Sequence, residues 1–348
     1  FKMKHYLTKH AIKALKASVV MLTFFGAAGT AIADKKITFK TPSAFGTNLP
    51  ITGSTSVYFA DVLKKVSGGN MKIKMYEPGE LMPAFDIHQA VSDGQVQAGY
   101  TCGAYLGGSL KEAIPFCTMP FGPEPHVMLG WLYEGNGTKL WEKFYNDAGY
   151  NVKVWPLAIY ANEGAGWFTK RIEKVEDWKG TKIRIGGFAG GTVKNLGAVP
   201  TLIPFGEIFP GLEKGVIDAV PWTSIGITDL KWNKFVKYMV MPSFYSTDLG
   251  IIINLDRWNA LNDDAKKVLE DVAIEWEVRS TADRAADVGK YMQAYKDGGM
   301  KIVSHSDAGA ANYLGLAYDS VWARLSERMD AKGSSGDVAK LRSLYAPD

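Results

Sequence analysis

Apolar and polar residues alternate through Lys36-Ile37-Thr38-Phe39-Lys40, which predicts a strand, because successive strand side chains face opposite sides. Helical spacing then runs from Ser54 to Val66 and stops at Ser67-Gly68-Gly69-Asn70. Met71 to Tyr76 alternates again as a second strand, Phe85 to Ser92 fits a helix closed by Asp93-Gly94, and Gln95 to Tyr100 reads as a third strand. Strands that alternate with helices predict an α/β lobe with a largely parallel sheet. The pattern resumes with a strand at Gly180–Gly186, a helix at Gly190–Leu196, an extended piece at Thr201–Pro204, a short helix at Glu207–Lys214 and a strand at Gly215–Val220. The units around Gly94 and Gly215 match: a helix, a glycine at its C-terminal end and a short strand. Glycine suits that place because it enters the left-handed region cheaply. Two such units predict two lobes of related topology.

The longest regular segment runs from Asn262 to Tyr295, with Asn262 as N-cap, Asp263 and Asp264 in the first turn, and Val268, Leu269, Val272 and Trp276 at helical spacing. Gly298-Gly299 ends it. At about 1.5 Å per residue this helix reaches about 50 Å, long enough to lie across both lobes. A further amphipathic helix fits Tyr313–Arg328, and Ile251-Ile252-Ile253 suits a buried strand.

The length of 348 residues suggests about two domains, and 47% apolar with 22% charged residues excludes wholesale disorder. The formal charge of +4 comes from one end. Residues 1–33 carry five lysines and no acid, then an uncharged apolar run from Ala17 to about Ala28, then Ala31-Ile32-Ala33. This reads as a secretory signal peptide cleaved after Ala33, and hence as a periplasmic protein; the run is short of the roughly 20 residues of a spanning helix. The remainder has 35 basic and 36 acidic residues, which gives no reason to expect a nucleic-acid partner.

The sequence proposes no catalytic constellation. None of the five histidines pairs at i, i+4, and no Gly-x-Ser-x-Gly, Walker or Cys-x-x-Cys motif is present. The glycines at 186, 187, 190 and 191 lack dinucleotide-loop spacing. Cys102 and Cys117 fit either buried thiols or a bridge. Of eight arginines only Arg184 sits inside a strand, between Ile183 and Ile185, so it faces away from both. A guanidinium fork binds a carboxylate through two parallel hydrogen bonds, and ligands of open α/β sheets sit beyond the carboxyl ends of strands. Arg184, Trp222 and Tyr100 all lie near such ends and can meet in a cleft between lobes. The alternative for Arg184 is a pair with a nearby acid, and for Trp222 and Tyr100 simple packing.

Several segments in order, among them Val66-Ser-Gly-Gly-Asn-Met-Lys-Ile-Lys-Met-Tyr76, Ala90-Val-Ser-Asp-Gly-Gln-Val-Gln-Ala-Gly99, Gly180-Thr-Lys-Ile-Arg-Ile-Gly-Gly187 and Leu202-Ile-Pro-Phe-Gly-Glu207, resemble the substrate-binding proteins of TRAP (tripartite ATP-independent periplasmic) transporters, DctP type, in the branch that binds 2-oxo and hydroxy acids. The likeness covers residues 36–330. It implies a two-lobed α/β fold of the periplasmic binding protein type (type II-like), with crossing strands and a long helix spanning both lobes. The lobes would be 34–157 plus 246–290 and 158–245 plus 291–348. It implies a receptor rather than an enzyme, holding a small organic acid for the membrane subunits of the transporter. Arg184 falls on the family's carboxylate-clamping arginine, Trp222 on a pocket tryptophan and Tyr105 near the pocket tyrosines; Tyr100 and Phe45 would complete a dry wall. The branch commonly has Glu-Trp where this chain has Pro221-Trp222, and Gln where it has Glu163. Those two side chains can help to hold a sodium or calcium ion against the ligand. Here either Glu163 and the Trp222 backbone keep the cation, or Glu163 accepts a hydrogen bond from the ligand. A sulfonate or aromatic acid as ligand, an ATP-driven importer, a sensor and an exported enzyme are the competing readings.

Overall fold

The computed structural model describes residues 36–50, 52–106, 125–160, 165–245 and 247–330. The first lobe opens with β1 (Ile37–Pro42), α1 (Ser54–Val66), β2 (Met71–Tyr76), α2 (Ile87–Ser92) and β3 (Ala98–Thr101), in the alternation expected. Helices α3 (Pro125–Tyr133) and α4 (Gly137–Asp147) and strand β4 (Val152–Tyr160) follow. The second lobe is built from β5 (Gly166–Phe168), β6 (Lys182–Arg184), α5 (Gly187–Asn195), β7 (Val199–Thr201), α6 (Ile208–Glu213), β8 (Ala219–Val220) and β9 (Tyr238–Met241). The chain then returns through β10 (Thr247–Asn254) and α7 (Leu255–Asn259) to the long helix α8 (Asp263–Asp297), β11 (Lys301–Ser304) and α9 (Asp307–Asp330).

Strands β1 and β2 pair in parallel, and a bridge between Ser43 and Tyr100 joins them to the antiparallel set β3-β10-β4. The second sheet has the order β11-β9-β5-β8-β6-β7. Adjacent residues of β5 show how its two faces are filled. Trp167 belongs to the cluster with Ile208, Ile217 and Trp232, and Phe168 to the cluster with Trp178, Ile183 and Val193. The period of two places them on opposite faces. The first lobe has its own core around Phe59, Trp141, Trp155 and Ile251.

Helix α8 ties the two cores. Leu269, Val272 and Trp276 pack into the first, while Tyr295 packs into the second. Its cap is as expected: the Asn262 side chain accepts from the Ala265 N–H at 2.8 Å, and Gly298 closes the other end. Helix α9 makes a second tie, unforeseen in the sequence, with Tyr313 in the second lobe's core and Trp322 in the first. Gly94 and Gly215 have φ of +74° and +63°, the left-handed value that their place after a helix requires. Cys102 is disulfide-bonded; Cys117 lies outside the described residues.

Several elements are shorter than the sequence pattern suggests. The expected strands at 180–186 and 215–220 shrink to Lys182–Arg184 and Ala219–Val220: β6 meets β7 only from Lys182 to Arg184 and β8 only at Ile183, and β8 meets β5 only at Ala219 and Val220, so the ladders end there.

Candidate functional site

A cavity of about 80 Å³ lies between the lobes, several times the space that one ordered water needs. Its walls come from the carboxyl ends of parallel strands in both sheets. Phe45 follows β1, Ala104 and Tyr105 follow β3, Arg184 ends β6, Leu202 follows β7 and Trp222 follows β8. At these ends the chain leaves the ladder, so side chains there are free to converge on a ligand.

Arg184 is half-buried, with Ile183 and Ile185 buried on either side. Its Nε donates to the Ile203 carbonyl at 3.1 Å, and its Nη2 donates to Tyr105 Oη at 3.3 Å. The first bond fixes the side chain against its own lobe, and the second reaches the other lobe. Among the described residues no carboxylate forms an ion pair with Arg184, and it is the one charged residue among the described cavity-lining side chains. The rest of its fork is available to an anion.

The other walls are aromatic and aliphatic. Phe45 is held by a local turn in which Ser43 Oγ accepts from the Phe45 N–H at 3.1 Å. Its ring lies 6.1 Å from Tyr105 and 6.2 Å from Phe205, and Phe205 lies 5.2 Å from Trp222. Trp222 in turn packs edge-on against Trp232 at 5.1 Å. Phe205 thus links the aromatic groups of the two lobes, a role that no periodicity in its surroundings signalled. Thr52, Thr223 and Thr247 add hydroxyl-bearing side chains to the lining, and Tyr245 lines it with its own hydroxyl buried.

Of the residues expected from sequence, Arg184, Trp222, Tyr105 and Phe45 meet at this cavity. Tyr100 does not line it. Tyr100 is fully buried behind Phe45 and Thr52, edge-on to the former at 5.9 Å and donating its hydroxyl to the Thr52 carbonyl at 2.8 Å. It supports the wall rather than forming it. Glu163 lies outside the described residues.

The described lining residues do not by themselves fit a sodium or calcium ion. They include no Asp, Glu or His, and among the described residues no group of three or more His, Cys, Asp or Glu could hold a metal. Pro221, before Trp222, brings no carboxylate. Charge to match a hard cation must come from elsewhere.

Comparisons with known proteins bear on the family and the fold. A family model described as bacterial extracellular solute-binding protein, family 7 (DctP) matches residues 44–325. A monocarboxylate 2-oxoacid-binding periplasmic protein of Nostoc is 31% identical over 277 residues, 78% of this chain and 73% of the relative. Among solved structures, a TRAP periplasmic solute-binding protein of Pseudoalteromonas atlantica with bound sodium and pyruvate superposes with a TM-score of 0.81 at 27% identity, covering 89% of this chain and 94% of the other. One of Colwellia psychrerythraea with bound calcium and pyruvate gives 0.80 at 29% identity and the same coverage.

Proposed function

This chain belongs to bacterial extracellular solute-binding protein family 7, and from that premise we propose that it captures a small 2-oxo monocarboxylic acid between its lobes and delivers it to the membrane subunits of a TRAP transporter. The observation that carries the reading is the guanidinium of Arg184, the one charged group among the described residues that line the cavity. One positive charge matches one carboxylate. Among the described lining residues a second carboxylate would find no counter-charge, and shutting it in unpaired costs several kcal/mol. That separates a monoacid from a dicarboxylate without any steric argument.

The residues act in sequence. Arg184 draws the carboxylate to the end of β6, where the bond to Ile203 has already oriented its fork. Tyr105, which accepts from the same guanidinium across the cleft, registers the lobes on each other. Phe45 and Trp222, with Phe205 packed between their rings, close over the ligand's apolar part and exclude water, which strengthens the ion pair inside. Closure is a population shift, driven by contacts that the ligand makes only when the lobes are together. No step here runs through a cation; one held beside the ligand would draw on Glu163 with the Trp222 carbonyl.

The protein acts outside the cytoplasm, as its family does, and we assign residues 1–33 to the export signal, with cleavage after Ala33. No helix among the described residues is long and apolar enough to cross a membrane. The lobe limits proposed are 34–157 plus 246–290 and 158–245 plus 291–348. The relatives are solute-binding proteins, and we propose binding and release without turnover.

Titration calorimetry with pyruvate, succinate, an alkyl sulfonate and picolinate tests the reading. Saturable binding of pyruvate at least about tenfold tighter than that of succinate is expected, a difference of about 1.4 kcal/mol. Preference for succinate would overturn the monocarboxylate assignment, preference for the sulfonate or picolinate would move the ligand class, and conversion of pyruvate to a product would make the protein an enzyme.

A further inference from the structure

Three residues that line the cavity, Cys102, Ala104 and Tyr105, sit on one short stretch of chain just past the end of β3. The β3 ladder ends at Thr101, which pairs with Gly250 of β10. The chain then makes a single 3₁₀ turn, Gly103–Leu106, and the Tyr105 N–H donates to the Cys102 carbonyl at 3.1 Å. From this turn Tyr105 reaches the other lobe. Its ring lies 4.8 Å from Phe85 and 6.1 Å from Phe45, and its hydroxyl accepts from the Arg184 guanidinium at 3.3 Å.

Cys102 is disulfide-bonded and only 6% exposed. Cys117 is the chain's one other cysteine. The bridge therefore starts at the junction between a fixed ladder and the turn that carries Tyr105, in a residue that itself borders the cavity. A crosslink reduces the conformations open to the chain that it closes. Such bonds form and persist in oxidising compartments, which is where an extracellular solute-binding protein works.

We propose that the disulfide of Cys102 with Cys117 is a positioning element of the ligand site: it fixes the Gly103–Leu106 turn so that Tyr105 meets Arg184 across the cleft, and the oxidised protein is the form with full affinity. Reduction by a dithiol breaks the S–S bond with two electrons and two protons, leaves two thiols, and closes the reductant into its own cyclic disulfide. The turn is then held by its hydrogen bonds alone, and the contact that registers the lobes weakens. Loss of that contact lowers affinity at least about fivefold. Linkage makes the effect reciprocal, because a ligand that prefers the bridged form protects the bridge. Saturating ligand should lower the reduction potential by the same factor, about 20 mV for a two-electron couple. The proposal rests on reading the cavity as the ligand site.

Thiol titration of the denatured, unreduced protein should find no free thiol, and two thiols would overturn the pairing. Calorimetry with pyruvate then compares the oxidised protein, the same protein reduced with dithiothreitol, the reoxidised protein and Cys117→Ala, which leaves Cys102 in the wall. Binding at least about fivefold weaker in the reduced protein and in the variant, restored by reoxidation, is expected; equal affinity in all four would overturn the proposal. Hydrogen exchange without ligand separates a local role from general stability. The Tyr105 amide, which donates to Cys102, should exchange at least about tenfold faster once the bridge is lost, while the β10 amides keep their rates. An unchanged Tyr105 amide, or equal acceleration of all amides, would overturn the positioning role. Should Cys117→Ala fail to fold, the reduced wild type replaces it, and unfolding of both would make the bridge a staple of the fold instead. If pyruvate fails to bind even the oxidised protein, the ligand reading falls, and the Tyr105 amide still decides what the bridge holds.

Discussion

Arg184 and Tyr105 stand on different lobes, 79 residues apart in the chain, and the guanidinium of one donates to the hydroxyl of the other at 3.3 Å. Both residues line the cavity, and the bond joins the residue proposed to meet the anion to the lobe that must close over it. It makes recognition of charge and closure of the cleft parts of one contact.

Replacing Arg184 by alanine should weaken pyruvate binding by at least about 3 kcal/mol, the scale of breaking a buried pair. Lysine should recover only part, because an ammonium lacks the planar fork. Calorimetry decides; near-normal affinity in the alanine variant would remove Arg184 from the site.

Tyr105→Phe keeps the ring against Phe85, at 4.8 Å, and deletes only the oxygen that accepts from Arg184. The expected loss of affinity is about 1 kcal/mol, roughly fivefold, with the melting temperature unchanged. An unchanged dissociation constant would show that the bond across the cleft does not contribute to the bound state.

Phe205→Ala removes the ring between Phe45 and Trp222. Affinity should fall by about 1 kcal/mol, roughly fivefold, because the two lining rings lose the aromatic contact that holds them together. The fluorescence of Trp222 should move toward that of a solvated indole, and an unaltered emission spectrum would contradict the packing described.

The acid side of the stability profile should be governed in part by His88. Desolvation lowers its pKa to about 3, so the native protein holds it neutral while the unfolded chain protonates it below its ordinary value of 6.5. The contribution is present above pH 6.5 and is lost as pH falls toward 3, at up to about 1.4 kcal/mol per pH unit. Denaturant unfolding of His88→Phe between pH 4 and 7 should be less steep in pH than that of the wild type.

Asn262→Ala should cost about 1 kcal/mol of stability through loss of the cap on the helix that ties both cores. A thermal melt lowered by a few degrees, with pyruvate affinity intact, is the expected pair of results.

Much of this molecule can be read along the chain. The alternation through β1 and β2, the cap at Asn262, the stop at Gly298 and the left-handed glycines at 94 and 215 are set by neighbouring residues, because period and capping act over one or two turns. Arg184 was legible for the same reason: a charge between two isoleucines in a strand must face away from them. What the chain could not disclose depends on residues far apart in sequence. Val216 looks like a strand residue yet is 52% exposed, because the ladder that would have paired it ends early. Tyr100 shares its strand-end position with Arg184 yet sits behind the wall, because Phe45 and Thr52 occupy the space in front of it. Phe205 acquires its place only when two lobes bring Phe45 and Trp222 to either side of it. Local order follows from torsions and hydrogen bonds between near neighbours, whereas the cavity is the space left when separate sheets pack, and only the folded arrangement of both lobes decides which side chains border it.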